Sequence, residues 1–250
     1  MANESSKFTW PAGKTAAVSL SFDDARTTQI DRGIEILDRH KIKATFYVSP
    51  GPMEARLDAW KRVVAAGHEI GNHTDTHPCS GNLKFSRGNA LEDYTLGRIE
   101  QDILTANERI EELLRVKPAT FAYPCGQSFV GRGEHVRSFV PFVAQHFLIG
   151  RGAFGGPPND PAYFDPAQAQ ASDADCATFE QLKAMIDTAV AEGAWLILFA
   201  HEVDETRAQS VHPDVLDQLC QHCMRDPQLW CSTLEEVGRY VLGHRRGERR

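Results

Sequence analysis

Trp195-Leu-Ile-Leu-Phe-Ala200 is six apolar residues in a row, ending at His201. A strand that lacks polar alternation is covered on both faces, as in a parallel sheet wrapped by helices or closed into a barrel. Further upstream, the strand pattern Ala16-Ala-Val-Ser-Leu-Ser-Phe22 is followed by the amphipathic stretch Gln29 to His40. The alternation recurs at Ala44 to Val48 with a helix over Met53 to Ala66, at His68 to Asn72 with a long helix over Ala90 to Leu114, and at Ala119 to Tyr123. Phe147 to Gly150 and Leu229 to Ser232 continue the strands, and Phe179 to Ala191, Pro213 to Cys223 and Leu234 to Leu242 continue the helices. Seven strand–helix units predict an α/β chain on a parallel sheet. No linker rich in Pro, Gly and Ser interrupts it, so residues 1–250 are expected to form one domain.

The chain has 250 residues, 42% of them hydrophobic, and a net charge of −7. At that length a core forms without a metal or a disulfide, so a bound metal would serve chemistry. The acidic balance disfavours nucleic acid, since neutralising phosphates needs a basic surface. The one basic run, Arg245-Arg246 with Arg249-Arg250, is a short tail. No apolar stretch reaches membrane-spanning length, and Met1 to Lys14 lacks the pattern of a signal peptide, so a cytoplasmic protein without membrane contact is expected. Six cysteines allow fifteen pairings and nothing in their spacing favours one. Cys220 and Cys223 read as neighbours one helical turn apart, buried and reduced. Trp10, Trp60, Trp195 and Trp230 read as core residues, with Tyr123, Phe129 and Tyr163 nearer a barrel mouth.

In parallel barrels the carboxyl ends of the strands carry the site. Here those ends are Asp23-Asp24, His73-Thr-Asp-Thr-His77, Tyr123-Pro-Cys-Gly126 and His201. Adjacent carboxylates repel unless a cation takes one as ligand and leaves the other to accept a proton. Two imidazoles four residues apart face the same way if the segment makes one helical turn, and with one Asp they form a three-ligand site with open positions. Taken singly, each element has an ordinary reading: an Asp-Asp turn, a surface His pair, a core histidine. Their common position at one sheet edge favours metal-assisted hydrolysis. Two loops, Cys79 to Gly88 and Gly152 to Cys176, are long and polar enough to be functional.

Ser21-Phe-Asp-Asp-Ala25, Gly67-His-Glu-Ile-Gly-Asn-His-Thr-Asp-Thr-His77, Phe121-Ala-Tyr-Pro-Cys-Gly126 and Leu196-Ile-Leu-Phe-Ala-His201 resemble the ordered motifs of the NodB-homology polysaccharide deacetylases. The resemblance implies a distorted (β/α)7 barrel of parallel strands with outer helices, and metal-dependent removal of N-acetyl or O-acetyl groups from a carbohydrate. It further implies Asp24, His73 and His77 as ligands of one divalent metal ion, with Asp23 as general base. The backbone N–H of Cys125 would hold the oxyanion, and His201 would be the general acid. Zinc is the first expectation, while cobalt, nickel and iron suit the same donor set.

The chain departs from the family at three places. Ala122 stands where an arginine usually pairs with the base, and Arg151, on the same sheet edge, is the expected substitute unless it is an ordinary loop residue. The acidic fourth motif, whose Asp orients the catalytic histidine, is not recognisable, leaving Asp160 and Asp165 as candidates. Ala25 replaces a usual glycine. Other motifs fail on context. Gly150-Arg-Gly-Ala-Phe-Gly155 matches a dinucleotide pattern, but Gly156-Pro-Pro forbids the helix it needs. Gly126-Gln-Ser128 lacks the second glycine of a nucleophile elbow. A Cys125 nucleophile would leave the Asp-Asp and His pairs unexplained. The alternatives are a hydrolase of a small non-sugar amide on the same barrel, and a non-catalytic metal- or sugar-binding barrel. A base and an acid beside the ligands argue against the latter. Long loops at the mouth leave room for a second copy to complete the site, so a homo-oligomer is an expectation too. Of ten histidines, only His73, His77 and His201 have chemical partners at strand ends; the rest read as ordinary.

Overall fold

The computed structural model describes residues 8–11, 13–152, 155–206 and 208–245. Its wall is built around β1 (Ala16–Asp23), buried at every position. Along one edge β1 pairs with the apolar strand Trp195–Ala200 over Ala17 to Phe22. Along the other edge it pairs with β2 (Thr45–Val48) at Ser21 to Asp23 and with Leu229–Cys231 at Ala16 to Val18. Outward from β2 follow β3 (Glu69–Asn72), β4 (Thr120–Ala122) and β5 (Ile149–Arg151), all parallel.

The strand that finishes the wall is not the expected one. The segment Ala169 to Asp173, inside the loop expected to lack structure, bridges to Arg151 at Ala169 and pairs as β6 (Ser172–Asp173) with the strand that follows it, β7 (Trp195–Ala200). Ala169 N–H donates to Gly150 O and Gly152 N–H to Ala169 O, both at 2.8 Å. The result is a distorted (β/α)7 barrel, with β8 (Leu229–Cys231) seated on the lower half of β1 outside the main strand order. A two-residue strand flanked by Ala171 and Ala174 has no apolar run to announce it; its partner β7 defines it.

The helices fall where the apolar spacing puts them, with ends set by caps. The first expected helix divides into a wide turn over Gln29–Gly33 and α1 (Ile34–Arg39). The second divides into Pro50–Glu54 and α2 (Leu57–Ala65). The long helix begins later than expected, as α3 (Leu96–Leu114), because the Thr95 hydroxyl accepts from Arg98 N–H and caps it there, while Lys84–Asn89 and Leu91–Asp93 form tight turns. A short helix, α4 (Val140–His146), escaped the periodic reading; its Pro141 sits in the first turn, where no backbone N–H is needed. α5 (Phe179–Glu192) has a Thr178/Gln181 capping box and ends on Gly193 at φ +70°. α6 (Pro213–Arg225) and α7 (Leu234–His244) complete the layer.

Trp60, Trp195, Phe46 and Phe121 are fully buried, and Trp10 joins them, stacked with Tyr240 and edge-on to Trp230. Cys220 and Cys223 are free thiols buried on the inner face of α6, as their spacing suggested. Of the basic tail, Arg246, Arg249 and Arg250 lie outside the described residues, as do Ala153 and Phe154 of the glycine loop and most of Met1 to Lys14. Among the described residues no helix is long and apolar enough to cross a membrane.

Candidate active site

β1 ends in a backbone kink that separates its two carboxylates. Asp23 continues the strand, whereas Asp24 and Ala25 adopt left-handed conformations at φ +71° and +52°. Such a conformation costs a non-glycine residue on the order of 1–3 kcal/mol, which explains why glycine is usual at the Ala25 position. Gln29 braces the kink: its Nε2 donates to Asp23 O at 2.6 Å and to His201 O at 2.7 Å, tying the ends of β1 and β7 together.

Asp23 is 4% exposed and Arg151, at the end of β5, is wholly buried. Arg151 Nη2 lies 2.5 and 2.6 Å from the two Asp23 oxygens, and Nη1 donates to Gly152 O at 3.0 Å. The guanidinium carbon sits 4.9 Å from the centre of the Tyr47 ring and 5.1 Å from that of Phe199. An isolated buried charge costs several kcal/mol, so each member of this pair depends on the other. Gly71 makes room for it: a Cβ there would fall 2.5 Å from Tyr47 Cδ1, so only glycine lets that ring lie across β3 beneath the arginine. Arg151 therefore stands on the carboxylate that the Ala122 position cannot reach.

Asp24 turns toward the two histidines. Its Oδ1 lies 3.5 Å from His73 Nε2 and 3.3 Å from His77 Nε2, and the three ligand atoms fall within 4.8 Å of one another. His73 Nδ1 is 2.8 Å from Ala122 O, and because a carbonyl can only accept, Nδ1 carries a proton, so in the neutral ring Nε2 presents a lone pair to the carboxylate. Acceptor facing acceptor at that distance calls for a cation between them. An ion with bonds of about 2.0–2.1 Å in tetrahedral geometry spaces its ligands roughly 3.3 Å apart, so the donor set fits a small divalent metal. Burial would raise the Asp24 carboxyl, but when the imidazoles are protonated and no ion is bound, the hydrogen bond and charge of His73, the charge of His77 and a hydrogen bond from Arg26 outweigh it and hold it well below the usual carboxylate range. Burial and the neighbouring His73 push His77 down to about 4.

The His73–His77 segment is not a helical turn, as the spacing suggested. Thr74 and His77 have φ of +64° and +50°, and the loop is shaped by bonds to its flank. Asp102 on α3 accepts from the Asp75 and Thr76 N–H groups at 2.9 and 3.2 Å and from the Thr76 hydroxyl at 2.6 Å. Asn72 accepts from Thr74 N–H at 2.7 Å and donates to Ile103 O at 2.9 Å, while Arg109 pairs with Asp75 and Glu54.

His201, at the end of β7, presents Nδ1 to Asp175 Oδ2 at 2.6 Å, and its own backbone N–H donates to Asp175 Oδ1 at 3.1 Å. Burial lowers the His201 pKa, yet the Asp175 hydrogen bond and the charges of Asp23, Asp175 and Asp24 overcome this and raise it above the ordinary value. The histidine's partner is thus Asp175, two residues beyond β6, and neither Asp160 nor Asp165. Those two cap local turns, Asp160 accepting from Ala162 N–H and Asp165 from Ala167 N–H. Since β6 itself carried no sequence signal, nothing distinguished Asp175 from the other acids of its loop.

Asp23, Asp24, His73, His77 and His201 line one cleft of about 1030 Å³, together with Cys125 and the apolar side chains of Leu83 and Phe85 at the mouth, while Arg151 and Asp175 hold their partners from behind it. Tyr123 lines it as well, but Phe129 and Tyr163 do not. Cys125 is disulfide-bonded to Cys79, a pairing the spacing did not signal; as a disulfide sulfur it is no free nucleophile. The bond joins the loop after β3 to the loop after β4, and Ser80 N–H adds a 2.6 Å bond to Gln127 Oε1 across the same gap.

The family model described as polysaccharide deacetylase matches residues 11–132, a stretch that contains Asp23, Asp24, His73 and His77. The chain resembles the polysaccharide deacetylase family over that stretch, just under half of its length. It is 37% identical over 97 residues to a chitooligosaccharide deacetylase of Bradyrhizobium, covering 38% of this chain and 39% of that one. It spans well under two thirds of the length of the curated relatives it matches. Among solved structures, a candidate polysaccharide deacetylase from Mycobacterium smegmatis superimposes with a TM-score of 0.70 at 15% identity, covering 98% of this chain and 97% of that one. A family 4 acetyl xylan esterase from Clostridium thermocellum, in complex with a cobalt ion, gives 0.58 at 21% identity, covering 90% and 91%. In this chain the arginine on the carboxylate comes from β5, and the Ala122 carbonyl oxygen holds His73.

Proposed function

We propose that this protein is a divalent-metal-dependent hydrolase that removes acetyl groups, N- or O-linked, from a carbohydrate. The observation that carries the reading is the convergence in one cleft of an arginine-paired carboxylate, a three-ligand cation site and an aspartate-paired imidazole. The matched relatives, named for chitooligosaccharide deacetylation and for acetyl xylan esterase activity, support acetylated sugars as the substrate class.

A metal ion held by Asp24, His73 and His77 would supply Lewis-acid polarisation of the acetyl carbonyl and acidify the water beside it. Asp23 accepts the proton of the attacking water. The Arg151 contact fixes the direction of that carboxylate. The Cys125 N–H donates to the oxygen that becomes negative at the acetyl carbon. His201, its Nδ1 anchored on Asp175, gives a proton from Nε2 to the departing amine or alcohol. A barrel that only bound metal or sugar would need neither buried pair. Zinc is the first candidate, with cobalt, nickel and iron suited to the same ligands.

Acetate release from chito-oligosaccharide and acetylated xylan, before and after removal of metal by a chelator, tests the proposal. Activity is expected to vanish with the metal and return when zinc or cobalt is restored. Asp23→Asn should lower turnover by about 10²–10⁴-fold with metal content unchanged. Absence of acetate release from every acetylated sugar, in fully metal-loaded protein, would overturn it.

A further inference from the structure

The outer metal ligand has a second set of neighbours. Cys79 Sγ lies 3.7 Å from His77 Nδ1, the ring nitrogen that faces away from Asp24. One ligand atom from each of His77, Cys79 and Cys125 falls within 4.8 Å of the other two. Cys79 is buried, but Cys125 is exposed in the cleft, so a small thiol can reach the disulfide from solvent.

We propose that opening the Cys79–Cys125 disulfide creates a second metal site, His77–Cys79–Cys125, which competes with Asp24–His73–His77 for the same imidazole. The competition rests on the reading of the latter set as the catalytic metal site. A dithiol reductant supplies two electrons and two protons: the S–S bond breaks, two S–H groups form, and the reductant closes to its own disulfide. Binding a divalent ion then releases the thiol protons to solvent.

A neutral imidazole has one lone pair. When Nε2 ligates beside Asp24 in the oxidised protein, the His77 proton is left on Nδ1, which faces the disulfide sulfur, a weak acceptor. When Nδ1 ligates a metal held by the two thiolates, the proton moves to Nε2 and points at Asp24 Oδ1, 3.3 Å away. One site gains the ligand that the other loses. Two thiolates make the new site softer and favour zinc, so reduction would draw the ion to the His77–Cys79–Cys125 set and leave Asp24 and His73 without their third ligand. The oxidised protein is the competent form, and the reduced protein parks its metal.

Cobalt(II) titration of metal-free protein, followed by optical spectroscopy before and after treatment with a dithiol reductant that is then removed, tests this directly. Oxidised protein is expected to bind cobalt without a sulfur-to-cobalt charge-transfer band. Reduced protein should gain two titratable thiols and show that band in the near ultraviolet, with deacetylation at one equivalent of metal lower by about tenfold or more. Cys79→Ser should lack the band. Asp24→Ala, which removes the catalytic set, should keep it after reduction. Cobalt binding without the band in reduced protein, once the two extra thiols are counted, overturns the inference, as does a band that persists in Cys79→Ser. Oxidised protein that binds no cobalt, while reduced Asp24→Ala shows the band, would support the thiolate site and defeat the catalytic-site reading instead.

Discussion

The floor and the rim of the cleft hold the same type of side chain, an imidazole, in opposite ways. His73, on the floor, is 2% exposed, and its Nδ1–H meets the Ala122 carbonyl oxygen at 2.8 Å. His77, on the rim, has a side chain 27% exposed and a left-handed backbone, and its Nδ1 faces a sulfur at 3.7 Å. The floor is made of strand ends, where Asp23, Arg151 and His73 are fixed by buried charge pairing and by the sheet itself. The rim is made of two loops that a disulfide and a few side-chain bonds hold in register. The buried groups assigned to the proposed chemistry are fixed on the floor, and the proposed redox adjustment acts through the rim.

The largest way to break this contrast is on the floor. Arg151→Ala leaves a buried carboxylate without its partner and should lower the unfolding free energy by about 3–5 kcal/mol, read by denaturant titration. A loss near zero would mean that Asp23 is not held by charge pairing. Next comes the scaffold between floor and rim. Asp102→Ala removes three acceptor contacts from the Asp75–Thr76 turn and should weaken metal affinity by roughly 10–100-fold, measured by competition with a chromophoric chelator. If affinity is unchanged, α3 does not shape the ligand loop.

A smaller effect is expected at Asp175, where it concerns pH. Because the folded pKa of His201 is raised, its contribution to stability is complete below the ordinary histidine value and is lost as pH rises through the folded one. The same shift keeps His201, the proposed acid, protonated further into the neutral range. Asp175→Asn should move the alkaline limb of the kcat profile to lower pH and reduce kcat about tenfold. An unmoved limb would remove Asp175 from the tuning of the acid. The smallest effect belongs to the outermost rim. Phe85 is 73% exposed at the cleft mouth, so Phe85→Ala should raise KM roughly fivefold, about 1 kcal/mol of ring contact, and leave stability within about 0.5 kcal/mol. A stability loss well beyond that would make Phe85 a packing residue.

The floor was more legible in the sequence than the rim. Trp195 to Ala200 and Ala16 to Phe22 announce themselves as covered strands, and their ends place Asp23, Asp24 and His201 at one edge without further information. Arg151 could be named from its strand end alone. Its rings could not, because the approach of Tyr47 depends on the bare backbone at Gly71 in a neighbouring strand. Asp175 and β6 were illegible for a related reason: Ser172–Asp173 is a strand only because Leu198 and Phe199 pair with it. On the rim, the turn between His73 and His77 owes its shape to Asp102, far along the chain, and Cys79 and Cys125 are separated by 46 residues with no spacing rule to join them. Local pattern records what a segment buries; it does not record which distant side chain a loop leans on.

The central claim is that Asp24, His73 and His77 bind the metal on which deacetylation by Asp23 depends. It is tested most directly by titrating oxidised, metal-free protein with zinc while measuring acetate released from an acetylated chito-oligosaccharide. The account predicts activity that rises linearly and saturates at one zinc per chain, with no rise in Asp24→Ala. Release that is already full in the metal-free protein, or that rises equally in Asp24→Ala, would contradict it.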